Sequence, residues 1–218
     1  MVEKIITFDC YGTLLNTDIL YDEIAHHAEE NGLSSEKARN IYTNYEDRLM
    51  YGEEFHPYKE LIQMILDYCD QEMNTDIFHD YLSYIIEVHK NFKAYPDVLE
   101  GLRYLKNQGW KLVLMSNTSH GIMTENLKQF DGLIDDVLLA DDVHHYKPQL
   151  DFFLAAQTRY GFSNDNHVHI ANGYFWDIVP ATKLNWRKIW VNRHHIRGNQ
   201  REQPYQEINN LTEIKQIL

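Results

Sequence analysis

Five short apolar runs limit the folds open to this chain more than any other feature. They are KIITFD (4–9), KLVLMSN (111–117), DVLLA (136–140), HVHIAN (167–172) and KIWVNR (188–193). Each is too short for a stable helix and is apolar on both faces, the pattern of a strand buried in a parallel sheet. Helix-length amphipathic segments separate the later runs: PDVLEGLRYLKNQG (96–109), SHGIMTENLKQF (119–130), PQLDFFLAAQTRYG (148–161) and WDIVPATKLNW (176–186). The first opens on Pro96 and closes on Gly109, a sound start and stop. Strands alternating with helices predict an α/β fold, a parallel sheet covered on both faces in three α/β/α layers.

The stretch from Asp18 to Lys90 breaks this alternation. It contains no strand pattern and four helical ones, DILYDEIAHHAEENG (18–32), SSEKARNIYTNYEDRLMYG (34–52), PYKELIQMILDYCD (57–70) and TDIFHDYLSYIIEVHK (75–90). Gly32 and Gly52 close the first two. The expected organisation is a core of residues 1–17 and 91–218, with residues 18–90 inserted after the first strand as a helical cap domain. The polar segment 194–204 is expected to be loop. The 218 residues suffice for one such domain with its insert.

Composition narrows the partners. The net charge of −13 repels phosphate backbones, so nucleic acid is not an expected partner. No apolar run approaches the ~20 residues of a membrane span, and no membrane is expected. Cys10 and Cys69 are the only cysteines and build no disulfide framework. With no leader pattern at the start, a cytoplasmic setting is expected. A small anionic metabolite is the expected substrate, because a local basic cluster overrides a mean field; a homodimer is compatible with all of this.

In an open α/β sheet, ligands bind beyond the carboxyl ends of the strands. That rule gathers polar residues far apart in sequence. Asp9 ends the first run, Ser116 and Asn117 the second, and Asn172 the fourth. Lys147 follows the third, and Asp177 lies beyond Asn172. A carboxylate such as Asp9 can attack an electrophile and form an ester that water later cleaves. It must be ionised, which Lys147, Thr13, Ser116 and the backbone N–H groups of the Asp9–Gly12 turn can favour. An isolated strand-end aspartate caps a turn more often than it reacts; the other polar strand ends tip the reading toward function.

Four segments carry a resemblance: FDCYGTL (8–14), LMSNTS (114–119), YKP (146–148) and ANGYFWD (171–177). In this order the chain resembles the haloacid dehalogenase superfamily over nearly its full length. Its closest likeness there is to the L-2-haloacid dehalogenase subgroup, whose first motif runs Asp-x-Tyr-Gly-Thr. The resemblance implies a Rossmann-like core with a helical cap after the first strand. It implies Asp9 as nucleophile, Thr13 and Ser116 holding it, Lys147 balancing charge, and Asp177 as the acid of the fourth motif. Tyr11, Arg39, Asn117, Asn172 and Tyr174 are expected around the substrate. Arg39 is the expected clamp on a substrate carboxylate, and Arg48 is its competitor on the same charged helix. Three positions depart from the subgroup: Asn172 stands for a serine, Tyr174 for an asparagine and Phe153 for a tyrosine.

Tyr11 stands where the phosphatases of the superfamily carry a second acid, which protonates a leaving alkoxide. A halide leaves without a proton, so a dehalogenase does without that acid. The expected activity is 2-haloacid dehalogenation, with no cofactor. The alternatives are a weak Mg²⁺-dependent phosphatase of a small phosphorylated metabolite, with Asp9 and Asp177 on the ion, or a catalytically degenerate relative. No Gly-x-Ser-x-Gly or P-loop motif is present. The His-His pairs at 26–27, 144–145 and 194–195 are expected on surfaces and loops.

Overall fold

The structure is a computed structural model and describes residues 2–218. β1 (Lys4–Asp9) is buried from Ile5 onward. After the short β2 (Leu15–Asn16), the chain forms α1 (Asp18–Glu30), α2 (Ser35–Tyr51), α3 (Tyr58–Met73) and α4 (Leu82–Lys90). It returns through β3 (Lys93–Ala94) to α5 (Val98–Asn107), β4 (Trp110–Ser116), α6 (His120–Asn126) and β5 (Asp136–Leu139). Then follow α7 (Ala140–Val143), α8 (Leu150–Tyr160), β6 (His167–Ala171), α9 (Val179–Lys183), β7 (Lys188–Val191) and β8 (Gln206–Ile208). Among the described residues no helix is long and apolar enough to cross a membrane.

The main sheet is parallel throughout, in the order β5-β4-β1-β6-β7-β8. β1 sits inside it, with Phe8 opposite Leu114 on one side and Ile170 on the other. From β1 the chain builds outward first through β4 and β5, then on the other side through β6, β7 and β8. The crevice that such a reversal leaves lies at the carboxyl end of β1, where Asp9 stands.

Helices α1–α4 lie over that end of the sheet. The two chain crossings into and out of them are zipped together: β2 and β3 pair antiparallel, with Leu15 opposite Ala94 and Asn16 opposite Lys93. Arg193 braces the same place. Its guanidinium donates to the Thr13 carbonyl at 2.7 and 3.0 Å and to the Asp97 carboxylate at 2.9 and 3.1 Å, and lies 3.9 Å from the centre of the Tyr95 ring. A planar fork meeting a carbonyl and a carboxylate at once is a task for arginine rather than lysine.

Local structure departs from the sequence pattern in three places. The helix expected over 75–90 begins only at Leu82, because the Asp70 carboxylate accepts the N–H groups of Phe78 and His79 at 2.9 and 2.8 Å and holds them in a turn. The helix expected over 176–186 is a π-helical turn, Tyr174–Ile178, followed by the short α9 with Pro180 near its start. β8 has three residues, two of them exposed; a strand that short leaves no readable apolar run.

Gly101 on α5 faces Leu211, and a Cβ there would lie 2.5 Å from Leu211 Cγ and 2.9 Å from its carbonyl oxygen. Gly101→Ala should therefore destabilise the protein by about 1–3 kcal/mol, the usual cost of overpacking. A lower denaturant midpoint at unchanged m-value checks this; an unchanged midpoint would mean that the C-terminal segment is not seated on α5.

Candidate active site

The site starts from the turn after β1. Gly12 has φ +76° and a Cβ on it would come 3.3 Å from the Asn172 side chain, so glycine alone lets the turn fold back under the strand end. The turn delivers Thr13, whose hydroxyl donates to Asp9 Oδ2 at 2.5 Å while accepting the Asn172 N–H at 2.7 Å. From the loop after α7, Lys147 places Nζ 2.6 Å from Asp9 Oδ1 and 2.8 Å from Asp177 Oδ1. Asn117 sets the lysine backbone: its amide accepts the Lys147 N–H at 2.7 Å and donates to the Lys147 carbonyl at 2.9 Å. Asp177 rides on the π-helical turn. Gly173 makes room for it, since a Cβ there would lie 2.5 Å from Asp177 Oδ2.

All three charged groups are buried, Asp9 at 6%, Lys147 at 2% and Asp177 at 0% exposure. Burial is the largest influence on Asp9 and raises its carboxyl above the ordinary range; Lys147 pulls it down and Asp177 pushes it further up. Asp177 also feels burial first, but Lys147 and His169 outweigh it and hold this carboxyl below its ordinary value. Burial works against the Lys147 charge, yet the two carboxylates lift its pKa above the ordinary lysine value. The lysine is thus charged, Asp177 ionised, and Asp9 the more basic of the two acids.

A hydrogen-bonded chain runs behind Asp177. His169 Nε2 lies 3.1 Å from Asp177 Oδ1 and His169 Nδ1 lies 2.8 Å from Thr7 Oγ1, which is 2.8 Å from His167 Nε2. A carboxylate accepts only, so with a neutral His169 the proton sits on Nε2 and Nδ1 is the acceptor. Thr7 then donates to His169 and accepts from His167, which leaves His167 Nδ1 bare, and that atom is buried without a partner. Burial lowers the His167 pKa to about 2, in keeping with a neutral ring.

Above these groups lies a cavity of about 300 Å³. Asp9, Tyr11, Ser116, Asn117, Lys147 and Asp177 line it from the core side, so most of the residues singled out in the sequence converge. Thr13 acts from behind Asp9. Ser116 Oγ and Asp177 Oδ2 are buried without a hydrogen-bond partner. Tyr11 contributes its ring only: its hydroxyl turns aside to Thr118 at 3.1 Å and Asn126 at 2.9 Å. Asn172 takes part through its backbone N–H rather than its side chain.

Two expectations are corrected. Arg39 does not reach the cavity; its guanidinium pairs with Asp22 of α1 on the outer face of α2. Arg48 does not line it either and lies 5.3 Å from the Tyr45 ring centre. Tyr174 points away from Asp9: its hydroxyl accepts the Asn199 N–H at 2.6 Å and its ring packs 4.7 Å from that of Trp190, anchoring the 194–204 segment. The helical segment instead presents Tyr21, Thr43, Glu46, Asp47, Met50 and Tyr58. None of these was singled out in the sequence, where a helix of mixed charge reads as a solvated face. His167 and His169 were missed too, although His-x-His in a strand puts both rings on one face.

Asp9 and Asp177 are the two carboxylates that could hold a divalent cation, with water and backbone oxygens completing its shell. Both accept from the Lys147 ammonium through Oδ1, so that cation already occupies the position they share. Among the described residues no group of three or more His, Cys, Asp or Glu is placed to hold a metal ion. Tyr11 stands in the sequence where a further acid would be, so any Mg²⁺ here would fill most of its near-octahedral shell with water.

Residues 3–182 match the family described as haloacid dehalogenase-like hydrolase. The chain is 26% identical to the (S)-2-haloacid dehalogenase 4A of Burkholderia cepacia, over 97% of this chain and 93% of that protein. It is 28% identical to the glyceraldehyde 3-phosphate phosphatase of Methanothermobacter thermautotrophicus, over 58% and 59% of the two chains. The fold is that of the L-2-haloacid dehalogenase from Xanthobacter autotrophicus, with a TM-score of 0.84 at 14% identity over 99% of this chain and 98% of the other.

Glu46 generates a stability test. Burial raises its pKa to about 7, only partly opposed by the 2.9 Å hydrogen bond from Tyr21. A carboxyl raised on folding binds its proton more tightly in the native state, so its contribution is complete below the unfolded value of about 4.3 and is lost as pH climbs through the native one. The wild type should lose on the order of 1–3 kcal/mol relative to Glu46→Gln between about pH 4.5 and 7.5. Urea titrations of both proteins across that range check it, and parallel pH profiles would contradict it.

Proposed function

Because the chain belongs to the haloacid dehalogenase-like hydrolase family, we propose that it cleaves a carbon–halogen bond through an ester on Asp9. The Asp9 carboxylate attacks the carbon, the bonding pair leaves with the halide, and an aspartyl ester forms. Water then adds to the ester carbonyl, the alcohol departs and the carboxylate is regenerated; the surplus proton goes to solvent. Asp177 is ionised and has a free Oδ2, which makes it the base at hand for that water. Ser116 Oγ, equally free, is a donor for the reacting centre. Lys147 keeps its charge throughout and holds Asp9 beside Asp177 without letting both carboxylates repel.

The observation that carries this reading is the orientation of Tyr11. A phosphate ester needs a proton for its alkoxide, yet the Tyr11 hydroxyl is engaged with Thr118 and Asn126, and burial drives its pKa far above the ordinary tyrosine value. A halide needs no proton. The curated relative from Burkholderia cepacia, a dehalogenase matched over nearly the whole chain, supports the same choice. The phosphatase reading draws on the partial match to the archaeal phosphatase, but it needs a proton donor for the alkoxide where Tyr11 stands with its hydroxyl engaged elsewhere.

Asp9→Asn should reduce halide release to below a tenth of wild type, a loss of more than about 1.4 kcal/mol of transition-state stabilisation. Circular dichroism should show the fold retained. Wild-type turnover should be the same with Mg²⁺ and with a chelator, followed by halide titration. Brisk Mg²⁺-dependent hydrolysis of phosphomonoesters would replace this reading with the phosphatase.

Lys147→Met should shift the acid limb of the pH–rate profile upward. Loss of a neighbouring cation raises a carboxylate pKa by ~1–3 units, and Asp9 is already raised by burial. An unmoved acid limb would show that the lysine does not set the charge of Asp9.

A further inference from the structure

The cavity's charge is unlike that of a pocket for an anion. Four carboxylates line it, Asp9, Asp177, Glu46 and Asp47, against the single cation Lys147, and that ammonium is already shared between two of them. No arginine reaches it: Arg39 is paired with Asp22, and Arg48 lies over Tyr45. A carboxylate substrate would enter without a free counter-ion and would face Glu46 and Asp47.

Four aromatic residues also line it, Tyr11, Tyr21, Tyr58 and Trp176, beside the smaller polar groups and Met50. A cavity lined by aromatic rings and carboxylates together can attract a cation both by charge and by the ring quadrupole. Glu46 is bound on one oxygen by Tyr21, and burial raises its pKa to about 7, so an arriving cation can take the proton's place. The core side of the cavity carries a second, independent sign of a ligand site. Ser116 Oγ and Asp177 Oδ2 are 1% and 0% exposed by residue, lack partners, and belong to residues that line the cavity.

We propose that Glu46, Asp47 and the surrounding aromatic rings form a site for an organic ammonium group, so that the substrate is a small halogenated amine or quaternary ammonium compound rather than a haloacid. The reacting carbon then faces Asp9 while the cationic end rests against α2. This rests on the carbon–halogen reading above and gives its substrate class. The balance is that of hydrolysis: a haloalkylammonium ion and water give the hydroxyalkylammonium ion, a halide ion and a proton.

The test compares bromide release from (2-bromoethyl)trimethylammonium, from its uncharged isostere 1-bromo-3,3-dimethylbutane, and from 2-bromopropionate. Calorimetry with choline and tetramethylammonium measures binding without reaction. The wild type should prefer the cation over the isostere at least about tenfold in kcat/KM, within the range that cation–π and charge contacts supply. Glu46→Gln combined with Asp47→Asn should remove most of that preference and weaken tetramethylammonium binding. Binding of choline without any bromide release would uphold the ammonium site and sink the Asp9 reaction instead. Preference for 2-bromopropionate, an equal rate on the uncharged isostere, or no binding of either ammonium by the wild type would overturn the proposal.

Discussion

One ammonium held between two buried carboxylates is the interaction on which the rest of this structure depends. Taking three charges out of water costs several kcal/mol per ion, and only close geometry with further hydrogen bonds offsets it. The chain supplies that geometry from four separate places. β1 and its turn bring Asp9 and Thr13, the end of β4 brings Asn117, the loop after α7 brings Lys147, and the turn after β6 brings Asp177. Removing one partner would leave an uncompensated buried charge, which couples the stability of these four places.

The same trio carries a net negative charge, and the surroundings decide where it is most reactive. Asp177 is stabilised from two sides, by Lys147 and by His169, and its carboxyl falls below the ordinary range. Asp9 has the lysine and Thr13 but also the repulsion of Asp177, and it rises above that range. Two carboxylates in one pocket are thereby given different basicities, which is how two like groups take different roles. The hydrogen-bonded line His167–Thr7–His169 braces the less basic one from behind.

Much of the architecture was legible before the structure. Buried parallel strands announce themselves as apolar runs, and the rule that ligands sit beyond their carboxyl ends was enough to gather Asp9, Ser116, Asn117, Lys147 and Asp177 into one crevice. What misled was direction. Arg39 and Arg48 sit on the right helix, but helical residues point outward every few positions, and α2 turns its arginines to solvent and Glu46 and Asp47 to the cavity. Tyr174 follows a glycine that could begin an ordinary helix; the π-helical turn that forms instead sends its ring toward Trp190. β8 and the Arg193–Asp97 brace depend on contacts between segments far apart in sequence, and no local pattern records such contacts.

The sequence by itself therefore determined the parallel α/β core, the helical segment after the first strand and the identity of the acids and the lysine at the strand ends. These follow from periodicity and from the period-two geometry of strands, which are local. Only the tertiary structure decided which oxygen faces which nitrogen, which of two carboxylates is the more basic, and which face of α2 looks inward. Those depend on burial and on distances of a few ångströms between residues more than a hundred positions apart, such as the 2.6 Å between Lys147 and Asp9.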